Sequence, residues 1–221
     1  MNRSRRMAIL ASGLLACAAW MAPAAAAQPT TALDDYLAGL STWSAQFTQT
    51  ITDGSGKRVP DGDETGRLII VRPGKFRWES APKDAPEAAR LMIADGRNLW
   101  FYDQDLEQAT VKPMDEALSQ SPAMLLAGSA ALRETFDVSP DGRRDGLEWV
   151  RAQPKNAESD FQEALFGFRG KELARLVAVN KLGQRSTLEF KSVRRNTTVD
   201  PKLVQFEPPD GVDVIGKPVP R

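Results

Sequence analysis

The sequence of 221 residues contains no histidine and one cysteine. Without histidine there is no Ser-His-Asp or Cys-His nucleophile, no imidazole acid or base, and no His-ligated metal. A single cysteine excludes an intrachain disulfide and every Cys-cluster zinc or iron–sulfur site. An excess of one charge is also missing. Lys and Arg number 29 and Asp and Glu 29, so the basic surplus of a nucleic-acid binder is not there. No glycine-rich loop suited to cradling phosphate is present, and no cofactor is expected. What remains is ordinary for a globular protein: 42% hydrophobic residues, 16 Gly and 15 Pro. The length allows one sizeable core and does not demand two.

Long apolar runs are scarce too, and the one that exists opens the chain. Arg3, Arg5 and Arg6 precede an apolar stretch from Met7 to Met21, followed by Pro23 and the run Ala24–Ala27. This is the pattern of a secretory signal cut between Ala27 and Gln28. The stretch is too short and alanine-rich for a transmembrane helix. Leu14-Leu15-Ala16-Cys17 has the form of a lipobox, which would leave a lipid anchor on Cys17, but the A-x-A site downstream favours removal of residues 1–27. Ser4-Arg5-Arg6 resembles a twin-arginine signal, yet no cofactor motif follows that would require folded export. Cleavage removes three arginines, no acid and the only cysteine. Residues 28–221 are therefore expected to form a single exported domain, slightly acidic and held together by its core alone.

Thr31 with Asp34 reads as a helix start, and Leu33, Tyr36, Leu37 and Leu40 recur at helical spacing. The period then changes. Trp43, Ala45, Phe47, Gln49 and Ile51 alternate with polar neighbours as in a half-buried strand. Further strands are expected over 66–72, through Phe76 and Trp78, and over 91–94, 98–102, 107–112, 136–139, 147–152, 163–168, 173–179, 185–194 and 204–207. Asp53–Gly56, Pro73-Gly74, Asp95-Gly96, Asp141-Gly142, Arg169-Gly170 and Lys181–Gln184 supply the turns. Two more helical stretches stand out, 114–119 and 122–134. Short strands with frequent turns predict a mainly β (α+β) sandwich or barrel rather than βαβ units.

No catalytic set emerges. Ser80-Ala81-Pro82-Lys83 matches S-x-x-K, but its proline falls in the helical turn that motif needs, and neither S-D-N nor K-T-G accompanies it. The carboxylate groups Asp34-Asp35, Asp61/Asp63/Glu64 and Asp103/Asp105 sit at a helix start and in turns, where acids cap and solvate. None has the spacing of a calcium loop. More unusual is the apolar inventory. Leu99-Trp100-Phe101-Tyr102 places large side chains on both faces of one strand, and Trp43, Phe47, Phe76, Trp78 and the run Met124–Ala127 add to it. Either these close into a plain core, or they line a curved sheet with helices as a lid over a greasy cavity.

Val71-Arg72-Pro73-Gly74-Lys75-Phe76-Arg77-Trp78, Asp95–Asp103, Glu107–Thr110, Ser121–Leu126 and Phe206–Val212, with Phe47–Thr50 and Asp53–Gly56 before them, resemble the periplasmic lipoprotein carrier family LolA in order along the mature chain. The resemblance implies an incomplete antiparallel β-barrel of about eleven strands, with a three-helix lid over a hydrophobic cavity. It implies a non-enzymatic, monomeric carrier in the periplasm. Its cargo would be triacylated lipoproteins, taken from an inner-membrane LolCDE-type ABC transporter to an outer-membrane LolB-type receptor. The cavity would be lined by Phe47, Phe76, Trp78, Leu99, Phe101, Met124 and Leu125. The family's latch arginine corresponds to Arg72, expected to donate to carbonyls around Leu126 and Ala127 on the lid and near Leu37 on the first helix. The stretch 81–89, with two prolines, is longer than that family's connection. Arg169, Lys171, Arg185, Arg194 and Arg195 mark either a basic surface or a solvated face. Competing readings are a LolB-type receptor anchored through Cys17, an envelope-stress sensor domain, for whose additional domain the mature chain has no room, and an esterase.

Overall fold

Alternation along Trp43–Ile51 becomes the first strand of a twelve-stranded sheet. The computed structural model describes residues 30–60, 62–85, 90–114, 126–128, 132–157, 159 and 161–220. Its strands are β1 (Thr42–Thr52), β2 (Glu64–Val71), β3 (Lys75–Pro82), β4 (Arg90–Asp95), β5 (Asn98–Asp103) and β6 (Gln108–Pro113), then β7 (Phe136–Arg144), β8 (Leu147–Pro154), β9 (Phe161–Arg169), β10 (Glu172–Asn180), β11 (Arg185–Arg195) and β12 (Asp213–Ile215). They lie in the order β12-β6-β5-β4-β3-β2-β1-β11-β10-β9-β8-β7. Every pairing is antiparallel except β12 with β6. The sheet ends on two different strands, so it is open rather than a closed barrel.

Two short helices accompany it among the described residues. Helix α1 (Ala32–Leu37) starts where the sequence predicts: Thr31 Oγ1 accepts from Asp34 N, and Asp34 Oδ2 accepts from Thr31 N at 2.7 Å, a capping box. Helix α2 (Leu132–Thr135) is a single turn that runs directly into β7. No helix among the described residues is long and apolar enough to cross a membrane.

Cross-strand partners stand side by side on one face, so the register sorts the inner surface into rows. One row runs Trp43–Ile70–Phe76–Ala94–Leu99–Lys112 across β1 to β6, and the next Ala45–Leu68–Trp78–Met92–Phe101–Thr110. Beyond β1 the same face continues through Leu188, Leu176, Phe166 and Val150. All of these apolar residues share one hydrophobic cluster, which α1 joins through Leu33 and Tyr36. The outer face has two separate patches. Ile93, Trp100, Ala109 and Val111 are covered by the C-terminal segment through Phe206. Leu147, Trp149, Leu165, Val177 and Val179 form the other over β8 to β10.

Three sequence expectations need correction. The strand count is twelve, against the about eleven expected of an incomplete barrel. The strand expected over 204–207 does not form: Asp200 caps a 3-10 turn at Pro201–Val204, and Phe206 packs on Trp100 and Tyr102 instead. The twelfth strand is Asp213–Ile215, whose three residues are too few to show a period. Finally, the three-helix lid is not supported. Of the two stretches predicted helical, only Met114, Leu126–Gly128 and Leu132–Glu134 are among the described residues. The described helix there ends at Thr135 because Phe136 already pairs with Pro154 in the sheet.

Gly66 allows the inner face to close between β1 and β3. A Cβ there would meet the Glu79 carbonyl oxygen and lie 2.5 Å from Phe47 Cζ. Phe47 uses that space to reach Trp78, ring centroids 4.5 Å apart. Gly66→Ala is expected to lower the urea midpoint by an amount equivalent to about 1–3 kcal/mol, the cost of overpacking where backbone cannot retreat.

Candidate functional site

The inner surface does not fill itself. Phe76, Leu99, Ile70 and Leu68 are fully buried and make a floor. Trp78, Met92 and Phe101, one row further along, are only half-buried although they pack on the same cluster. They line a cavity of about 480 Å³, together with Gln49, Glu64, Ser80, Arg90 and Asp103. That volume is within the range of small-molecule sites. A second groove, of about 540 Å³, is lined by Gln46, Thr48, Arg67, Glu79 and Lys191 together with Phe47, Thr65, Gly66, Ser80 and Ala81.

At the opposite end of the strands Arg72 follows β2. Its Nη1 donates to the Leu37 carbonyl at 2.9 Å, and its Nε to the Gly128 carbonyl at 2.8 Å. One side chain thus ties the last residue of α1 to the segment 126–128. Gly74 N donates to the Ala127 carbonyl at 2.8 Å alongside, and the side chains of Leu126 and Ala127 are buried in the main cluster. Burial lowers the guanidinium's affinity for its proton, which remains tight, since an arginine is not deprotonated in proteins. Leu37 offers one of the carbonyls left over at a helix C-terminus, where a cation is favoured.

Helix α1 is held from several other sides. Trp43 Nε1 donates to Tyr36 Oη at 2.7 Å, and Tyr36 meets Phe168 edge-on with centroids 5.4 Å apart. Arg195 lies 4.2 Å above the Tyr36 ring and donates to its carbonyl. Asp34 accepts from Arg133 Nη2 at 2.6 Å and Nε at 3.1 Å, tying α1 to α2. Burial raises the Asp34 pKa, but the bonds from Arg133 and Thr31 and the Arg133 charge outweigh it and hold the carboxyl below its ordinary 3.8.

The structure thus gathers Phe47, Phe76, Trp78, Leu99 and Phe101 on one inner face, with Arg72, Leu37, Leu126 and Ala127 at its end. Arg72's second acceptor is the Gly128 carbonyl, not that of Leu126 or Ala127. Met124 and Leu125 lie outside the described residues, as does the segment 1–27 with Cys17. Met92, Glu64 and Arg90 were missed. Met92 was legible, since it alternates with Ala94 on the face that carries Phe101. The Glu64–Arg90 ion pair was not, because the two residues are brought together across an intervening strand. Of the basic residues considered as a surface, Arg195 is spent on Tyr36, and Arg185 lies 3.9 Å from Glu163.

The family model for the outer membrane lipoprotein carrier protein LolA matches residues 38–207. The outer-membrane lipoprotein carrier protein of Methylococcus capsulatus is 37% identical over 186 residues, 84% of this chain and 86% of that one. Its counterpart in Chromobacterium violaceum is 38% identical over 200 residues, 90% and 93% of the two chains. That of Xanthomonas oryzae pv. oryzae is 37% identical over 218 residues, 98% and 99%. Among solved structures, an uncharacterized conserved protein from Thermus thermophilus has a TM-score of 0.50 at 12% identity, covering 83% of this chain and 96% of its own, a likeness of fold alone.

Because Asp34 has a depressed pKa when folded, its pairing stabilises the protein above the unfolded carboxyl's titration and is lost as pH falls through the folded value. Asp34→Asn is expected to cost on the order of 1–2 kcal/mol at pH 7. The difference from wild type should stay level down to about pH 5 and shrink below about pH 4. Urea unfolding of both proteins from about pH 3 to pH 7 checks this; other carboxylates, such as Asp141, cancel in the comparison.

Proposed function

The chain belongs to the LolA family of outer-membrane lipoprotein carriers, and from that membership we propose how this sheet carries acyl chains. The protein is a lipoprotein carrier. Residues 28–221 act as one monomeric carrier domain in the periplasm, without enzymatic chemistry. They receive triacylated lipoproteins from a LolCDE-type ABC transporter of the inner membrane and deliver them to a LolB-type receptor at the outer membrane. The observation that carries this reading is the apolar inner face that passes from a sealed floor at Phe76 and Leu99 to half-buried Trp78, Met92 and Phe101 over an open cavity.

Sheltering a chain of ~16 carbons avoids about 13 kcal/mol of water exposure at ~0.8 kcal/mol per CH₂. A site that kept all of that would not release its cargo. An opposing term is needed, one present when the carrier is empty and broken when it is full. The Arg72 bonds to the Leu37 and Gly128 carbonyls supply it. Charge-assisted bonds of this kind are worth about 1.5–3 kcal/mol each, so the pair favours the closed empty form by at least about a hundredfold. Loading separates 126–128 from α1; release lets the bonds re-form.

Arg72→Leu removes the opposing term and leaves the apolar face intact. The variant is expected to load acylated cargo at least as well as wild type and to pass it to purified receptor at least about tenfold more slowly. Cargo retention on the carrier, followed against time after receptor is added, measures this; transfer at the wild-type rate removes the clamp from the mechanism.

A further inference from the structure

The inner face is polarised along the strands as well as across the sheet. Counting away from Arg72, the first two cross-strand rows of β1 to β5 are apolar. The third reads Phe47–Gly66–Ser80–Arg90–Asp103–Gln108, changing from apolar to charged along its length. The fourth begins Gln49–Glu64. Successive rows are about 7 Å apart, so the surface changes from hydrocarbon to hydrogen-bonding groups over a distance shorter than an acyl chain. Strand ends are often polar simply because they meet water, but two features here differ. Arg90 Nη1 bonds Glu64 Oε1 at 2.9 Å across the intervening strand β3, with Asp103 3.9 Å from Arg90 on the other side. And the Glu64 side chain is only 14% exposed, while Ser80 beneath the pair is buried. This is an ion pair fixed over the cavity, with Trp78, Met92 and Phe101 directly below.

We propose that this rim is the subsite for the polar head of the acylated cysteine, the glycerol esters and first amide of the lipoprotein. The chains then run over Phe101, Met92 and Trp78 toward the Arg72 end. The inference rests on the carrier reading above and adds an orientation to it. The head of such a ligand is uncharged and rich in carbonyl acceptors. Arg90 is a donor-only group whose fork of about five N–H exceeds what Glu64 and Asp103 occupy, and its side chain is 57% exposed. The two carboxylates orient the guanidinium; the remaining donors face the opening. Gln49 and Gln108 add amide donors beside it. At the Arg72 end the guanidinium's Nε and Nη1 already donate to backbone carbonyls.

The test uses residues 28–221, which contain no cysteine, labelled with a fluorophore at Leu106→Cys beside the rim or at Lys75→Cys at the other end of the strands. Two dipalmitoylglyceryl-cysteine peptides serve as probes, one with a nitroxide on the peptide and one with it at an acyl terminus. The head-labelled probe is expected to quench the Leu106 position at least about threefold more than the tail-labelled probe, with the order reversed at Lys75. The opposite order, or equal quenching at both sites, overturns the orientation. Absence of quenching by either probe at either site overturns the carrier reading itself. Separately, Arg90→Ala should weaken the diacylglyceryl-cysteine peptide about tenfold and leave a head-less hydrocarbon dye within about twofold, with Arg90→Lys intermediate. Unchanged peptide affinity, or equal loss for both ligands, overturns the role of Arg90.

Discussion

The sheet has more apolar surface on its inside than the two short helices among the described residues cover, and this surplus governs the rest of the described structure. An ordinary sheet buries one face against a layer of similar size and is finished. Here the inner face gathers residues from β1 to β5 and β7 to β11 into one cluster, and its row at Trp78, Met92 and Phe101 is left half-covered. Such a surface would normally drive association or collapse. What permits it is that stability is also drawn from the outside. Phe206 and the C-terminal segment seal the outer face of β4 to β6, and Leu147, Trp149 and Leu165 seal that of β8 to β10. The backbone is braced by these two patches and by its ladders, so the inside need not be packed solid to hold its shape.

The same surplus sets the energetic problem of carriage. Hydrophobic transfer is large, undirected and the same for every acyl chain, so it supplies affinity but no means of letting go. Hydrogen bonds are small by comparison, yet they depend on geometry and can be exchanged. In the proposed cycle, a guanidinium placed between a helix C-terminal carbonyl and the 126–128 backbone ties a modest, reversible energy to whether the hollow is closed. The remaining anchors of α1, through Tyr36, Asp34 and Arg195, hold that helix to the sheet and to α2. In the proposed clamp α1 is therefore the fixed side and 126–128 the side that yields.

Much of this could be read from the residues, and the division between what could and could not has a physical basis. Strands with strict alternation, such as Trp43–Ile51, and turns marked by Asp-Gly or Pro-Gly were legible because period and turn chemistry are local. So was the capping box of Thr31 and Asp34. The pairs Phe76 with Trp78 and Leu99 with Phe101 were assignable to common faces, but the choice of inner face came only with the resemblance. Asp213–Ile215 escaped because a three-residue strand has no period and its parallel partner β6 is distant in sequence. Phe206 was mistaken for part of a strand because apolar spacing does not distinguish a ladder residue from one that covers the sheet's outer face. The clamp's acceptor, Gly128, lies just past the expected pair Leu126 and Ala127. A side chain selects a carbonyl by three-dimensional reach, and carbonyls carry no sequence signature.

The two ends of the inner face share a further property. At one, Arg72 binds backbone carbonyls that every sequence possesses. At the other, the proposed partners of Arg90 are ester and amide carbonyls that every lipid-modified cysteine possesses. Between them lies hydrocarbon. Among the described residues, none of the contacts proposed along that path reads an amino-acid side chain of the cargo. On these proposals the carrier accepts any polypeptide attached to the lipid, because every group it recognises is common to all of them. Discrimination between cargoes then has to be made by other proteins, before loading or after release.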